Sequence, residues 1–395
     1  MPAAARIAIV GAARTPIGKF GGALSKVPAV KLGAIAAAEA LRRSQVPPKK
    51  VDEVIMGLCI QAGLGQNPAR QVEEAVGLPH DRGAVTINKV CGSGMRAAML
   101  AASEIRAGDV DIALVGGMES MSQAPYLSPR FRTGLRYGDT TLVDSVLRDS
   151  LEDAYGHGHM GKTADGTAKR NSVSREEQDA FALRSHQRSA KATADGKFRD
   201  EIVPVPPEAS HAPGPLDKDE GIRGDTTMER LAKLKPVFSE DGTVTAGNAS
   251  QLSDGAAALV LASEARVKKL GLAPLAWVHS YHVGGVEPAR ITESPIPTVK
   301  EHLAKARLSI GEVDRVEVNE AFAVSAVAFQ KELGVNDDRF NVNGGAVAMG
   351  HPIGCTGARL LVTLAYEMQH GKVGRGLASL CMGGGNGLSM LLEAP

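Results

Sequence analysis

Along the chain, short apolar runs bounded by glycine alternate with stretches whose apolar residues recur every three or four positions, the pattern of strands alternating with helices. Residues 7–10 read as a buried strand, with a turn over 11–16. Residues 30–43 have helical spacing and stop before Pro47-Pro48. A strand over 51–60 opens with Val-Asp-x-Val, and a helix covers 67–76. Residues 84–107 then form one unit: an apolar strand, the tight turn Cys91-Gly92-Ser93-Gly94, and an Ala/Met/Leu-rich helix broken by charge at Arg96 and Glu104. A further strand, 111–115, runs into Gly116-Gly117-Met118-Glu119-Ser120.

The second half replays this order. A strand over 275–281 and a helix over 298–306 precede Val313-Asp314-Arg315-Val316, which repeats the Val-Asp-x-Val opening. A helix over 321–333 follows, then a strand at 341–343 leading to Gly350-His351-Pro352, a helix over 358–369, and a strand over 376–381 ending in Gly383-Gly384-Gly385. The spacing from Val51 to Cys91 nearly equals that from Val313 to His351. Two copies of one βαβ-rich unit account for this. Such units predict an α/β fold of mostly parallel sheets with helices on both faces, and ligands beyond the carboxyl ends of the strands. Cys91 and His351 then stand at equivalent places facing one site, joined by Cys381. Between the copies, residues 121–247 differ in texture: one amphipathic helix over 174–194 with the capping pattern Ser174-x-x-Glu177, and a Pro/Gly/Asp stretch over 204–225. A cap over the site is the expectation.

Composition narrows the function classes. The 395 residues exceed one hydrophobic core, so two or three units are expected. A formal net charge of +1 without a basic tail argues against nucleic acid as partner. Cys59, Cys91, Cys355 and Cys381 lack C-x-x-C spacing, which argues against a disulfide framework and a metal site and for a reducing compartment. A strand almost at the start leaves no room for a signal peptide, and no apolar run of about 18 residues is present to span a membrane. A cytoplasmic protein without membrane attachment is the expectation.

Four groups carry candidate chemistry, each beside a plainer role. Cys91, at the first turn of a helix, faces unpaired N–H groups that favour thiolate; a buried structural cysteine is the alternative. His351 sits in a Gly/Pro loop that a merely core-filling histidine does not need. Cys381 precedes glycines whose N–H groups could hold an oxyanion, or forms only a turn. Asn319 opens a helix and is either functional or a cap.

Six ordered segments resemble the signatures of thiolases: Asn88-Lys89-Val90-Cys91-Gly92-Ser93-Gly94, Gly117-Met118-Glu119-Ser120-Met121-Ser122, Ala246-Gly247-Asn248-Ala249-Ser250, Asn319-Glu320-Ala321-Phe322, Gly350-His351-Pro352-Ile353-Gly354 and Cys381-Met382-Gly383-Gly384-Gly385. The resemblance spans the chain and implies the thiolase fold, a five-layer α/β/α/β/α core with an inserted loop domain. The division expected is 1–120 plus 248–270 for the first half, 121–247 for the loop domain and 271–395 for the second half, assembled as a homodimer or homotetramer. It implies that Cys91 is acylated, that His351 takes its proton, and that Cys381 moves the α-carbon proton. His351 with a water on Asn319 would form one oxyanion site, and the N–H groups of Cys91 and Gly383 the other. Acyl-CoA thioesters are the implied small-molecule substrates, with no permanently bound cofactor. Ser250 and Ala249 would meet pantetheine, Arg223 the adenine and phosphate end, and His159, Met160 and Phe322 the acyl and pantetheine pocket.

The chain departs from the family pattern at Gln251, where glycine usually follows Ala-Ser, at Asn386, and at Ile291-Thr292-Glu293-Ser294-Pro295, where Met-Gly-x-Gly-Pro is usual. Acetyl-CoA C-acetyltransferase is the expected activity. A degradative 3-ketoacyl-CoA thiolase of broader chain length is the alternative, and a non-catalytic CoA-binding protein of this fold a remote one.

Overall fold

In β1 (Ile7–Arg14) every residue is buried. Ile7, Ile9 and Ala12 join one apolar cluster while Ala8, Val10 and Ala13 join another. Successive side chains point to opposite faces, and a register shift between Ile9 and Gly11 moves the alternation by one residue. A strand apolar on both faces must lie between two layers. The turn expected over 11–16 is therefore overturned: the strand continues to Arg14. Its small residues serve packing, since a Cβ on Gly11 would lie 2.3 Å from the Ala40 carbonyl of α1 (Ala29–Ser44).

The computed structural model describes residues 6–210 and 212–395. The remaining principal strands are β2 (Glu53–Gly57), β3 (Gly83–Ile87), β4 (Ile112–Ser120), β5 (Ser253–Ser263), β6 (Ala276–Gly285), β7 (Arg315–Val318), β8 (Arg375–Met382) and β9 (Asn386–Glu393). They follow one another across the sheet as β7-β8-β9-β6-β1-β5-β4-β2-β3. The order β1-β5-β4-β2-β3 of the first half is matched by β6-β9-β8-β7 in the second, so the duplication read from the sequence is present in space. The halves join where Ile7–Ile9 pair with Ala276–Val278.

Two further expectations are corrected. The sheet is mixed, not mostly parallel. Only β2–β3, β2–β4 and β7–β8 pair in parallel among the main ladders, because the last strand of each half returns antiparallel between its neighbours. Those returning strands, β5 and β9, are absent from the sequence reading. The strand expected at 341–343 reduces to a bridge between Phe340 and Val316. Asn341, at φ +41°, breaks the strand and pairs with β7 through its side chain, accepting from Val318 N at 2.8 Å and donating to Val318 O at 2.9 Å.

Helices fill the layers. α3 (Ser93–Ala107) and α8 (Ile353–Gly371) belong to the central cluster, with side chains from the inner faces of both half-sheets. They meet closely: a Cβ on Gly94 would lie 2.7 Å from Ala358 N, and one on Gly357 2.5 Å from Met95 N. α1 and α2 (Pro68–Ala75) cover the outer face of the first half. α6 (Pro295–Ala306) and α7 (Ala323–Leu333) cover that of the second. The inserted segment carries α4 (Met160–Arg170) and α5 (Arg175–Ala194), the latter opened by the reciprocal Ser174–Glu177 cap. Buried Arg14 ties this segment to β1, donating to Glu201 at 2.7 Å and to Asp219 at 2.7 and 3.0 Å.

Candidate active site

The turn before α3 sets Cys91. Val90 has φ +48°, a conformation a β-branched residue resists, so the surroundings must hold it there. Ser93 does so, donating from Oγ to Val90 O at 2.7 Å and accepting from Lys89 N at 2.8 Å. Lys89 Nζ reaches across to Asn386 Oδ1 at 2.7 Å, tying this turn to the glycine triplet. The helix begins at Ser93 with Gly92 as its cap, so Cys91 stands just ahead of the cap and not in the first turn. Burial pushes the Cys91 thiol well up, with the neighbouring Cys381 in support; N–H groups of Gly383 and of Cys91 itself oppose the rise without cancelling it. The expected bias toward thiolate is thus outweighed by burial. Cys91 rests as a thiol and needs a base.

His351 lies at the corresponding place ahead of α8. Gly350, at φ +114°, has no room for a side chain, since a Cβ would fall 2.2 Å from Ser253 Oγ. The His351 N–H is shared between Gln251 O at 3.0 Å and Ser253 Oγ at 3.2 Å. Its ring is oriented by Thr356, 2.6 Å from Nδ1. The Thr356 hydroxyl gives its single hydrogen to Pro352 O at 2.9 Å, so it accepts from Nδ1–H and leaves the Nε2 lone pair free. Burial, reinforced by the Arg359 charge, lowers the His351 pKa to about 3, so the ring is a neutral acceptor at physiological pH. Asn319 Nδ2 is 3.4 Å from Nε2, and Asn319 Oδ1 has no partner among the described residues.

Cys381 stands near the end of β8, against Ile291 and Ala321, and burial raises its thiol pKa to about 12. Cys91, His351 and Cys381 together line a small cavity of about 50 Å³, closed by Met160, Ile291, Phe322 and Met382. It shares Ser250, Phe322 and His351 with a larger, mainly apolar cavity of about 450 Å³. Ala249, His159 and Phe238 line the latter, with His159 stacked on Phe238 at 4.5 Å between ring centroids. Gly383 is against Val90 and Met160. The structure therefore brings together every sequence-chosen residue except Arg223, which is exposed and lines neither cavity.

Sequence reasoning missed several residues that shape the site. Thr356, one turn into the helix after His351, shows its role only once the fold sets its hydroxyl against the buried imidazole. Glu119 sits in a quoted segment yet received no role; its buried carboxylate accepts from the N–H groups of Cys59 at 3.1 Å, Ile60 at 3.2 Å and Gly354 at 2.8 Å, binding the His351 loop to the first half. Burial raises its pKa to about 7. Among the described residues no group of three or more His, Cys, Asp or Glu side chains is placed to hold a metal ion.

A weakly acidic thiol beside a neutral imidazole, with a second thiol and converging N–H groups, suits acyl transfer through a thioester. Comparison with known proteins agrees. Residues 7–265 match the thiolase N-terminal domain and residues 272–394 the thiolase C-terminal domain. An acetyl-CoA acetyltransferase of Chromobacterium violaceum is 50% identical over 98% of this chain and 100% of its own. One from Cupriavidus necator is 49% identical, over 98% and 99%. The crystal structure of the Bacillus anthracis acetyl-CoA acetyltransferase superposes with a TM-score of 0.97 at 44% identity, covering 100% of both chains. That of human mitochondrial 3-ketoacyl-CoA thiolase gives 0.96 at 40%, covering 99% of both. With both domains matched and these likenesses running the whole length of the chain, this protein belongs to the thiolase family.

Proposed function

We propose that the chain is an acetyl-CoA C-acetyltransferase, joining two acetyl-CoA into acetoacetyl-CoA and CoA and running the reverse thiolysis. The observation that carries this is the closed cavity of about 50 Å³ shared by Cys91, His351 and Cys381, whose size suits a two-carbon acyl group. The Cys91 proton passes to His351 Nε2 as sulfur attacks the thioester carbonyl; the CoA sulfur leaves with the proton of Cys381, and Cys91 is acetylated. Cys381, now a thiolate, takes the α-proton of a second acetyl-CoA, and the carbanion attacks acetyl-Cys91 and frees its sulfur, which regains its proton from His351 Nε2. A thiol of pKa about 12 makes a base strong enough for a carbon-bound proton. Two carbonyl oxygens gain charge in turn: that of the attacked thioester at the N–H groups of Cys91 and Gly383, and that of the second acetyl-CoA at His351 Nε2–H, which still carries the Cys91 proton, with a water on Asn319.

Coenzyme A is the carrier in this reading. Its pantetheine arm runs along the larger cavity past Ser250, Ala249, His159, Met160 and Phe322, and its nucleotide end lies outside, near Arg223. No cofactor beyond these thioesters is required. The division into 1–120 plus 248–270, 121–247 and 271–395 goes with it, as does assembly as a homodimer or homotetramer in the cytoplasm. Among the described residues, no helix is long and apolar enough to cross a membrane.

A broader 3-ketoacyl-CoA thiolase is the second reading, favoured by Ile291-Thr292 in place of Met-Gly at the cavity wall. Thiolysis of 3-ketoacyl-CoA esters of increasing chain length, with intact-mass detection of the acyl-enzyme, decides between them. Activity confined to acetoacetyl-CoA supports the acetyl reading, and activity sustained with long chains overturns it for the broader one. Absence of any acyl-Cys91 overturns both in favour of a non-catalytic binding protein.

A further inference from the structure

Gln251 stands where the thiolase pattern usually has glycine, and its side chain is occupied in a way glycine cannot reproduce. Its Nε2 donates to Val347 O at 3.2 Å, Ala348 O at 3.1 Å and Gly221 O at 3.1 Å. All three partners are acceptors, so the amide nitrogen, not the amide oxygen, must face them. Val347 and Ala348 belong to the single helical turn Ala346–Met349, whose last carbonyls have no intrahelical donors. Gln251 caps them from the side, and the chain then passes through Gly350 into His351. The main-chain carbonyl of the same residue accepts the His351 N–H at 3.0 Å. One residue thus holds the catalytic histidine from both sides.

The third acceptor lies in a different part of the molecule. Gly221 opens the stretch Gly221-Ile222-Arg223, and its backbone sits directly on the turn before His351, since a Cβ there would lie 2.7 Å from Ala348 O and 2.9 Å from Gln251 Nε2. Arg223 is held from the other side, its N–H donating to His186 Nδ1 at 3.1 Å. A displacement of the Arg223 stretch is therefore transmitted through the Gln251 amide to the His351 loop.

We propose that Gln251 is a positioning residue that links the Gly221–Arg223 stretch to His351, so that contact with the nucleotide end of the acyl carrier sharpens proton transfer at Cys91. This rests on the CoA-thioester reading above. Binding energy from a part of a substrate remote from the reaction can be spent at the reacting centre, in which case truncation lowers kcat and not only raises KM.

The test compares acetyl-CoA with acetyl-pantetheine, which lacks the nucleotide end, as acyl donors to Cys91 in single turnover followed by intact mass. In the parent enzyme the saturated acylation rate is expected to be about tenfold higher with acetyl-CoA, inside the roughly 100-fold that a misplacement of about 1 Å costs. In Gln251→Met, which fills similar volume without the amide, the two saturated rates converge while the difference in half-saturating concentration remains. A Gln251→Met enzyme that keeps the parent ratio overturns the proposal, as does a parent with equal saturated rates. Gln251→Asn, an amide on a shorter arm, takes its place if Gln251→Met does not fold. A parent acylated by neither donor overturns the underlying thioester reading instead.

Discussion

Cys91 and His351 stand at matching points of two half-folds, each two residues ahead of a central helix, and yet they are fixed in different ways. The Cys91 turn is held through its backbone alone: Val90 is forced to positive φ, and Ser93 Oγ ties the loop without touching the sulfur. The His351 turn is held on its functional side chain as well, with Thr356 on the ring and the Gln251 carbonyl and Ser253 Oγ on the backbone N–H. The difference follows from the chemistry each must do. A sulfur attacks along one line and needs N–H groups beside it for an oxyanion, so among the described residues those of Cys91 and Gly383 face it and no side chain bonds the thiol. An imidazole has two nitrogens, and only a bond to Nδ1 leaves Nε2 free to accept.

Removing the nucleophile breaks the comparison most severely. Cys91→Ala is expected to lower turnover by roughly 10⁴- to 10⁶-fold, the scale seen when a nucleophile acting as part of a unit is lost. CoA affinity should change little, because the larger cavity does not include Cys91. Isothermal titration with CoA beside turnover assays checks both halves, and a surviving acyl-enzyme would count against the assignment.

His351→Gln comes next, with an expected loss of about 10²- to 10⁴-fold in Cys91 acylation. It also sharpens the comparison through stability. An unfolded histidine titrates near 6.5, whereas His351 in the fold titrates at about 3. Above pH 6.5 neither state is protonated and the group contributes nothing to pH dependence. Below it the unfolded chain takes a proton that the native site refuses, so stability falls with decreasing pH until about pH 3, by up to about 1.4 kcal/mol per unit. His186 and His302, each lowered to about 4 by burial, act in the same direction. Cys91 is shifted upward and so destabilises at the other end, above the ordinary thiol pKa of about 8.5. Denaturation of His351→Gln between pH 7 and 4 should accordingly show a shallower loss than the parent; equal slopes would mean that His351 is not held neutral.

The sequence discloses the catalytic turns better than the layers that carry them. Cys91, His351, Cys381 and Asn319 sit in glycine-marked turns, where unusual backbone leaves a visible trace. β5 and β9 leave none, because strands apolar on both faces lose the alternation that would mark them: Ala256 to Ala262 is apolar throughout, serving two clusters at once. Asn341 misleads in the opposite sense: its N–H donates to Val316 O at 3.0 Å, and beyond that single bridge its side chain takes over the strand pairing. Gln251 and Thr356 are illegible for a third reason, since their roles depend on which distant or helical neighbour the fold brings against His351. The Cys91 thiolate expected from the helix dipole fails on magnitude: a dipole is worth about 0.3–1 kcal/mol at exposed sites, less than the desolvation of a buried thiolate.

Thr356→Val separates ring orientation from the rest of the His351 turn. The variant keeps shape but leaves Nδ1 without its acceptor, so both tautomers become accessible and part of the population presents N–H instead of a lone pair toward Cys91. An acylation rate reduced about tenfold is expected, the equivalent of roughly 1.4 kcal/mol and within the range for a buried hydrogen bond. KM for acetyl-CoA should hold. Ser93→Ala is the matched change on the other side, and it should lower kcat through the Val90 turn without altering the imidazole. Nitrogen-15 shifts of the His351 ring tell the two apart: Thr356→Val moves them, Ser93→Ala does not.

The smallest effect is expected where the two turns are farthest from chemistry, at the crossing of α3 and α8. A Cβ on Gly357 would lie 2.5 Å from Met95 N, and one on Gly94 2.7 Å from Ala358 N, so each glycine receives the other helix's backbone. Gly357→Ala must push the helices apart by a few tenths of an ångström or more, an overpacking cost of about 1–3 kcal/mol. Because Cys91 and His351 hang from the N-terminal ends of these same helices, the separation also widens the gap a proton must cross. Thermal unfolding should register the first effect as a lowered Tm, and single-turnover acylation the second as a rate loss of a few-fold with KM held. A variant that melts earlier but acylates at the parent rate would show that the turns are positioned by their own local bonds and not by the helix crossing.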